Sequence, residues 1–433
     1  METTYMQLNN SKIYNRLKSR QTSLAVVGLG YVGLPVLMEF SRHFNVIGYD
    51  IDHCRINYLR NSLKCHDSSI KLTECEKDLS EASFYIVTVQ TPIDSNRNPD
   101  LSKLIAATKT IGKHLQPGSY VIFESSVHPG CTENICIPLL EQTSGLSAGI
   151  DFKVGYSPER INPNDDSHTF SNTVKIVSAT DSEALEEISA VYQLVIKAGI
   201  HKAPDIKTAE AAKMLENTQR NVNIALINEL SKLYSSIGID TYSVIEAAAT
   251  KWNFANYYPG LVGGHCIPVD PFYLVSQAEN AGIDVPLIKT ACSVNENMGF
   301  YIIRQAYQML TRQSETNKQL KALVMGVTYK ENIDDIRNTP AITMIKQLEQ
   351  MSVSVDAVDP LANPDKVMDT YGITLSKSLQ PPYDLIITTV GHDEYKNLDD
   401  SFFRSIAKSE NSLLVDIRAI YRGKIKSLRY MTL

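Results

Sequence analysis

The chain has no CxxC pair among its seven cysteines, and its opening stretch METTYMQLNNSKIYNRLKSR has no apolar core. The first absence argues for reduced thiols rather than a disulfide framework, and the second leaves no signal peptide to expect. Long hydrophobic runs are missing as well. The apolar run over residues 24–38 is interrupted by glycines and falls short of the roughly 20 residues a membrane span needs. Nor is there an excess of positive charge: the net charge of -6 argues against a nucleic-acid partner, although a local basic cluster can still hold an anionic ligand. These absences point to a cytoplasmic protein with neither a membrane nor a nucleic-acid partner. What remains, 433 residues that are 43% hydrophobic and 21% charged, is the composition of a globular protein of two or three domains.

The strongest local signal lies near the beginning. SLAVVGLGYVGLPVLMEF runs from an apolar strand through Gly28, Leu29, Gly30, Tyr31, Val32 and Gly33 into a helical pattern, and the next apolar stretch ends at Asp50, 22 residues beyond Gly28. Strand, glycine turn, helix and acid in that order form a dinucleotide fingerprint. The glycines allow a tight turn and close approach to a pyrophosphate, the helix start stabilises its charge, and the acid binds ribose hydroxyls. An acid at that point repels a 2′-phosphate, which favours NAD over NADP. Further strand patterns, FYIVTVQTP (84–92), YVIFESSVHPG (120–130) and FKVGYSPERINP (152–163), end in hydroxyl, proline or glycine residues, as strands of a parallel sheet do where they deliver loops to a crevice. Glu159 and Arg160 stand at the mouth of the last.

From residue 208 to about 238 the pattern becomes one long helix without proline or internal glycine, spanning roughly 45 Å at about 1.5 Å per residue. Lys213, Asn217, Asn221 and Asn228 are unusual on it, the first three recurring at every fourth position. Solvation of that face is one reading, and a polar face turned into a cleft is the other. Near residue 320 strand–helix alternation restarts, with apolar strands in KALVMGV, SVDAVDP, DLIITTVGH and SLLVDIRAI. The glycine fingerprint is missing there, so a second ordinary NAD site is not expected. Lys330, Arg337 and Arg418 instead stand where strands end, as cations for a phosphate-bearing ligand do.

One stretch, GLVGGHCIPVDPFYL over residues 260–274, places a cysteine among glycines and prolines. A thiol on such a loop is either a nucleophile or a small apolar filler. The motifs GLGYVG, Thr91-Pro92, ESSVHPG, SPERINP, AAKMLENT, GGHCIPVDP and GVTYKENIDDIRNTP occur in one order, and on them the chain resembles the nucleotide-sugar 6-dehydrogenases, the UDP-glucose and UDP-N-acetylhexosamine dehydrogenase family. The resemblance implies an α/β fold of two Rossmann-like doubly wound domains joined by a long central helix. The expected parts are an NAD-binding domain over 1–207, a helical dimerisation domain over 208–312 and a UDP-sugar-binding domain over 313–433. It also implies NAD as cofactor, no metal, a UDP-N-acetylhexosamine substrate and a homodimer or higher homo-oligomer.

Site residues follow from the same resemblance. Cys266 is expected to be the catalytic nucleophile, Lys213 and Asn217 the donors to an oxyanion, and Glu159 the general base. Asp270 is expected to hold or activate a water, and Ser126 supplies a hydroxyl where many members have threonine. Cofactor contacts are expected at Gly28, Gly30, Tyr31, Val32, Gly33, Asp50, Arg55, Thr91 and Arg337, and substrate contacts at Arg160, Tyr257, Gly260, Lys330 and Arg418. Two departures bear on the sugar. Val269 stands where the glucose branch usually has lysine, and His265 stands where it has a smaller residue, so GGHCIxVDP resembles the N-acetylhexosamine branch. UDP-glucose and UDP-N-acetylmannosamine remain alternative substrates. A single-step hydroxyacid dehydrogenase is the rival class, and it has no use for Cys266, Asp270 or a second α/β unit. A non-catalytic NAD-binding relative is the third.

Overall fold

The structure is a computed structural model that describes residues 12–63, 68–160, 168–311 and 319–433. Residues 161–163 of the SPERINP motif and the expected domain boundary at 312/313 lie outside the described residues. The chain divides into two compact units. One comprises residues 1–216 with 272–277, and the other comprises 217–271 with 278–433.

The first unit is built on an eight-stranded sheet. Its strands are β1 (Ser23–Val27), β2 (Val46–Tyr49), β3 (Ile70–Thr73), β4 (Ala82–Val87), β5 (Ser119–Phe123), β6 (Phe152–Tyr156), β7 (Lys175–Ala179) and β8 (Ile200–Lys202), in the order β3-β2-β1-β4-β5-β6-β7-β8. The six strands from β3 to β6 follow the doubly wound 3-2-1-4-5-6 order, whose reversal between β1 and β4 opens a ligand crevice at the strand ends. Strands such as β4 and β5 are buried along their whole length, as strands covered on both faces must be. One pair departs from the parallel arrangement: β7 pairs antiparallel with β6. β7 follows β6 through residues 157–174, and an antiparallel neighbour can be joined without a crossover helix.

The second sheet has five strands, β9 (Lys321–Met325), β10 (Ser354–Val358), β11 (Leu385–Thr388), β12 (Leu413–Asp416) and β13 (Arg429–Met431), in the order β10-β9-β11-β12-β13. All of its pairs are parallel. This is the other common doubly wound order, 2-1-3-4-5, with its switch point between β9 and β11. Each sheet has its own hydrophobic cores, centred for example on Val27, Tyr85 and Phe123 in the first unit and on Val324, Ile345 and Ile387 in the second.

The long helix expected over 208–238 runs over Ile206–Ser236, 31 residues, and the division between the units falls within it. No helix among the described residues is long and apolar enough to cross a membrane.

Candidate active site

The glycine turn meets the geometric demands of the fingerprint. Gly28 has φ +95°, a conformation closed to most side chains, and a Cβ on Gly33 would lie 1.9 Å from the Gly28 carbonyl oxygen. Both positions therefore need glycine for the turn itself. A Cβ on Gly30 would meet nothing within 4 Å, which leaves open space beside the turn where a pyrophosphate has to approach. Asp50, just past β2, accepts the Leu29 amide (2.8 Å) while the Arg55 Nε donates to the Leu29 carbonyl (2.9 Å). The two expected cofactor residues thus hold the turn from both sides. Thr91 donates to the Ser126 carbonyl (2.6 Å), which joins two more expected positions, and its own carbonyl accepts from the Tyr273 hydroxyl (3.0 Å). Tyr31 and Val32 lie within the turn and are half-buried. The residues present fit a dinucleotide.

Also in the first unit, the central helix brings Lys213 to Glu159. The Lys213 ammonium donates to the Glu159 carbonyl (2.7 Å) and lies 3.5 Å from its carboxylate. Burial pushes the Glu159 carboxyl up from its ordinary range, and the positive charges of Lys213 and Lys175 oppose the shift. A carboxyl adjusted in this direction suits a general base working near neutral pH. Arg160 is engaged by the same helix: it donates to Glu216 and to the Val174 carbonyl (3.1 Å).

Behind Glu159 lies a cluster to which the sequence analysis assigns no role, although Glu124 opens the ESSVHPG motif. Lys175, at the start of β7, pairs with Glu124 at 2.9 Å and donates to the carbonyls of Pro158 (3.1 Å) and Ser157 (3.4 Å). Tyr192 donates to the other Glu124 oxygen, and the ammonium lies over the rings of Phe170 and Tyr192. A lysine opening a buried strand was the available signal.

The second unit holds the cysteine loop. Gly264 has φ +86°, and a Cβ there would strike the Tyr329 ring at 2.6 Å, while one on Gly263 would meet the Asn338 carbonyl oxygen at 2.9 Å. The Gly264 amide donates to the Arg337 carbonyl (3.2 Å) and its carbonyl accepts from the Asn338 side chain (2.9 Å). The glycines therefore let the loop press against residues 329–340. Cys266 is half-buried, and its carbonyl accepts from the amides of Val269 and Asp270. This places it at the start of the helix Asp270–Asn280, where the peptide dipoles favour an anion. Asn217 donates to the Asp270 carboxylate.

The expected substrate residues are distributed less evenly. Arg418 lines a pocket with Leu261, Thr328, Tyr329, Glu331 and Val390, at the carboxyl ends of β9, β11 and β12 and beside their switch point. It pairs with Glu331 at 2.7 Å and lies 3.7 Å from where a Gly260 Cβ would be. Lys330 flanks this pocket between two lining residues, and Tyr257 is half-buried just ahead of the loop. Arg337, expected as a cofactor contact, holds Asp335 through both Nε and Nη2.

Comparison with known proteins adds three family matches in chain order. The NAD-binding domain of the UDP-glucose/GDP-mannose dehydrogenase family matches residues 22–196, its central domain residues 207–297, and its UDP-binding domain residues 323–423. A UDP-N-acetyl-D-glucosamine 6-dehydrogenase of Pseudomonas aeruginosa is 43% identical over 95% of this chain and 100% of its own length. Protein CapL of Staphylococcus aureus is 42% identical over 92% and 96%. The structure of a UDP-D-ManNAc dehydrogenase from Pyrococcus horikoshii superposes with a TM-score of 0.86 at 30% identity, covering 95% of this chain and 99% of that one. A glycine turn built for a dinucleotide thus occurs within a full-length match, and the chain belongs to the UDP-glucose/GDP-mannose dehydrogenase family as an oxidoreductase that uses NAD.

Proposed function

We propose that this chain is a UDP-N-acetylglucosamine 6-dehydrogenase, or acts on the C4 epimer UDP-N-acetylgalactosamine. It would turn the C6 alcohol of the sugar into a carboxylate for a capsular or O-antigen polysaccharide. The observation that carries the reading is the end-to-end similarity to the Pseudomonas aeruginosa UDP-N-acetyl-D-glucosamine 6-dehydrogenase. The residue just before Asp270 supports it: Val269 is buried and apolar, whereas the glucose branch usually carries a lysine there.

When bound, NAD supplies the hydride acceptor, one molecule for each of two oxidations. The rest falls to side chains of this chain. Lys213 and Asn217, one helical turn apart, donate hydrogen bonds to the C6 oxygen and stabilise negative charge on it. The Cys266 thiolate adds to the aldehyde carbon as the carbonyl electron pair moves onto oxygen, which gives a thiohemiacetal. The second oxidation leaves a thioester. Glu159 takes a proton from water, the water oxygen bonds to the thioester carbon, and the carbon–sulfur bond breaks to return the thiolate. Asp270 holds the water and Ser126 offers its hydroxyl. One alcohol, one water and two NAD yield one carboxylate, two NADH and three protons.

The assembly is proposed to be a homodimer or higher homo-oligomer working in the cytoplasm. Leu226 and Leu233 are exposed along one stripe of the central helix, Ile237 is exposed just past its end, and Trp252 is 93% exposed, an apolar surface of the kind copies of a chain bury.

The test is NADH released per mole of UDP-N-acetylglucosamine, UDP-N-acetylgalactosamine, UDP-N-acetylmannosamine and UDP-glucose, with kcat/KM for each. Two NADH per sugar and the highest kcat/KM on one of the first two are expected. A higher kcat/KM on UDP-glucose overturns the substrate assignment, and a Cys266→Ser enzyme yielding two NADH at the native rate overturns the thioester route.

A further inference from the structure

Two asparagines of the central helix have no part in the chemistry described so far, yet both are fully buried. Asn228 is 0% exposed and makes a reciprocal pair of bonds with the backbone of Gly260: its Oδ1 accepts the Gly260 amide (2.8 Å) and its Nδ2 donates to the Gly260 carbonyl (3.0 Å). The same Nδ2 donates to Asn295 Oδ1 (2.9 Å), and Asn295 Nδ2 donates to the Asn221 carbonyl (2.9 Å). Asn221 Nδ2 then donates to the Ile267 carbonyl (3.1 Å), one residue from Cys266. Its Oδ1 lies 3.8 Å from the Cys292 sulfur.

Stability alone does not call for these groups. Buried amides cost free energy unless every polar atom is satisfied, and well-shaped apolar side chains fill a helix–loop contact equally well. What a carboxamide provides and leucine cannot is a grip on backbone. Residues 257–266 form neither helix nor strand, so their amides and carbonyls lack the partners that regular structure supplies. Asn228 takes Gly260 within the loop and Asn221 takes Ile267 just past Cys266, as a neighbouring strand would.

We propose that Asn221 and Asn228 are positioning residues for Cys266, clamping the cysteine loop so that its thiol captures the aldehyde before it leaves the enzyme. The proposal rests on the thioester reading above. The first oxidation makes no use of the sulfur, so a slack loop lets it proceed while capture fails. Each escaping aldehyde then accounts for one NADH instead of two.

The experiment follows UDP-N-acetylglucosamine and NAD turnover with a hydrazide carbonyl trap present, counting NADH and trapped aldehyde per sugar consumed. Native enzyme is expected to give two NADH and almost no trapped aldehyde. Asn221→Ala is expected to trap at least tenfold more aldehyde, with NADH per sugar falling toward one and NAD affinity unchanged. Should Asn221→Ala fail to fold, the near-isosteric Asn221→Leu keeps the bulk, removes the donor and is expected to leak in the same way. A slower Asn221 variant that still gives two NADH and no trapped aldehyde overturns the proposal, because a purely structural role lowers the rate without splitting the two oxidations. Cys266→Ser in parallel separates the two readings. Leakage from Cys266→Ser but not from the Asn221 variants sinks the clamp alone, whereas full four-electron turnover by Cys266→Ser sinks the thioester reading with it.

Discussion

Replacing Lys175 with methionine is expected to be among the most damaging single changes outside the reacting groups. The lysine and Glu124 have side-chain exposures of 3% and 0% and lie 2.9 Å apart. Removing one member of such a pair leaves the other charge buried without compensation, a loss of about 3–5 kcal/mol. The carbonyls of Pro158 and Ser157 also lose their donor, and that loss lies within the same figure because one ammonium serves all three partners. Against a typical stability of roughly 5–15 kcal/mol, Lys175→Met uses a large share. Urea unfolding followed by circular dichroism measures it. The double variant Glu124→Gln with Lys175→Met is expected to recover more than half of the loss, since the charge is gone and Tyr192 keeps an acceptor. Function offers a second readout. Lys175 opposes the upward shift of Glu159 and Glu124 adds to it. The single variant should therefore move the acid limb of the kcat profile to higher pH, and the double variant should move it back. A loss below about 1 kcal/mol for Lys175→Met, far under the uncompensated-charge range, or a double variant no more stable than the single, refutes the reasoning.

Three further predictions concern the first unit. Gly33→Ala forces the backbone apart, because the new Cβ meets the Gly28 carbonyl at 1.9 Å and the Thr88 hydroxyl at 2.5 Å, so both thermal stability and NAD affinity should fall. Gly30→Ala meets nothing in the fold and should leave the unfolding midpoint nearly unchanged yet weaken NAD binding at least tenfold by calorimetry; native affinity in that variant refutes placing the pyrophosphate there. Glu210 on the central helix is pushed up from its ordinary 4.5 to about 7 by burial. Its folded pKa exceeds the unfolded one, so its stabilising contribution is complete below about pH 4.5 and is lost as pH rises through about 7. Stability relative to Glu210→Gln should accordingly decline between pH 5 and 8 by up to about 3 kcal/mol, and a flat difference in urea midpoints contradicts it.

The parts legible in the sequence are those whose physical cause is local. Gly28 and Gly33 are needed for contacts within a single turn, and the apolar runs of β1, β4, β5, β9 and β11 are buried strands whichever way their neighbours point. Direction and edge position are not local, so the antiparallel placing of β7 was invisible. The three-residue β8 and β13, which carry His201, Lys202 and Arg429, also gave no strand pattern. The site divides in the same way. Lys213 and Glu159, read only through a family resemblance, come together in the structure, while Lys175 and Glu124 escaped because nothing in a separation of 51 residues pairs a lysine opening one strand with a glutamate just past the end of another. Lys330 and Arg418 were placed by strand ends, and the pocket beside the second switch point takes in Arg418 and the neighbours of Lys330.

The polar face of the central helix shows why a pattern can be noticed and still not assigned. Lys213, Asn217, Asn221 and Asn228 looked out of place on a helix, and solvation was the ordinary explanation. Yet Lys213, Asn221 and Asn228 each donate to a backbone carbonyl, of Glu159, Ile267 and Gly260 respectively. A carbonyl carries no residue identity, so nothing at positions 159, 260 or 267 could have announced the partnership. Side-chain to backbone contact also explains the residue types. Asparagine presents a donor and an acceptor on a short stem, which suits loops held close to a helix, and lysine spans the longer reach with a charge that serves an adjacent carboxylate. Leucine at any of these positions would preserve the helix and its apolar packing. It would remove the hold on the segments that carry Glu159 and Cys266, and for that reason the helix is expected to be more sensitive in turnover than in stability at Asn221 and Asn228.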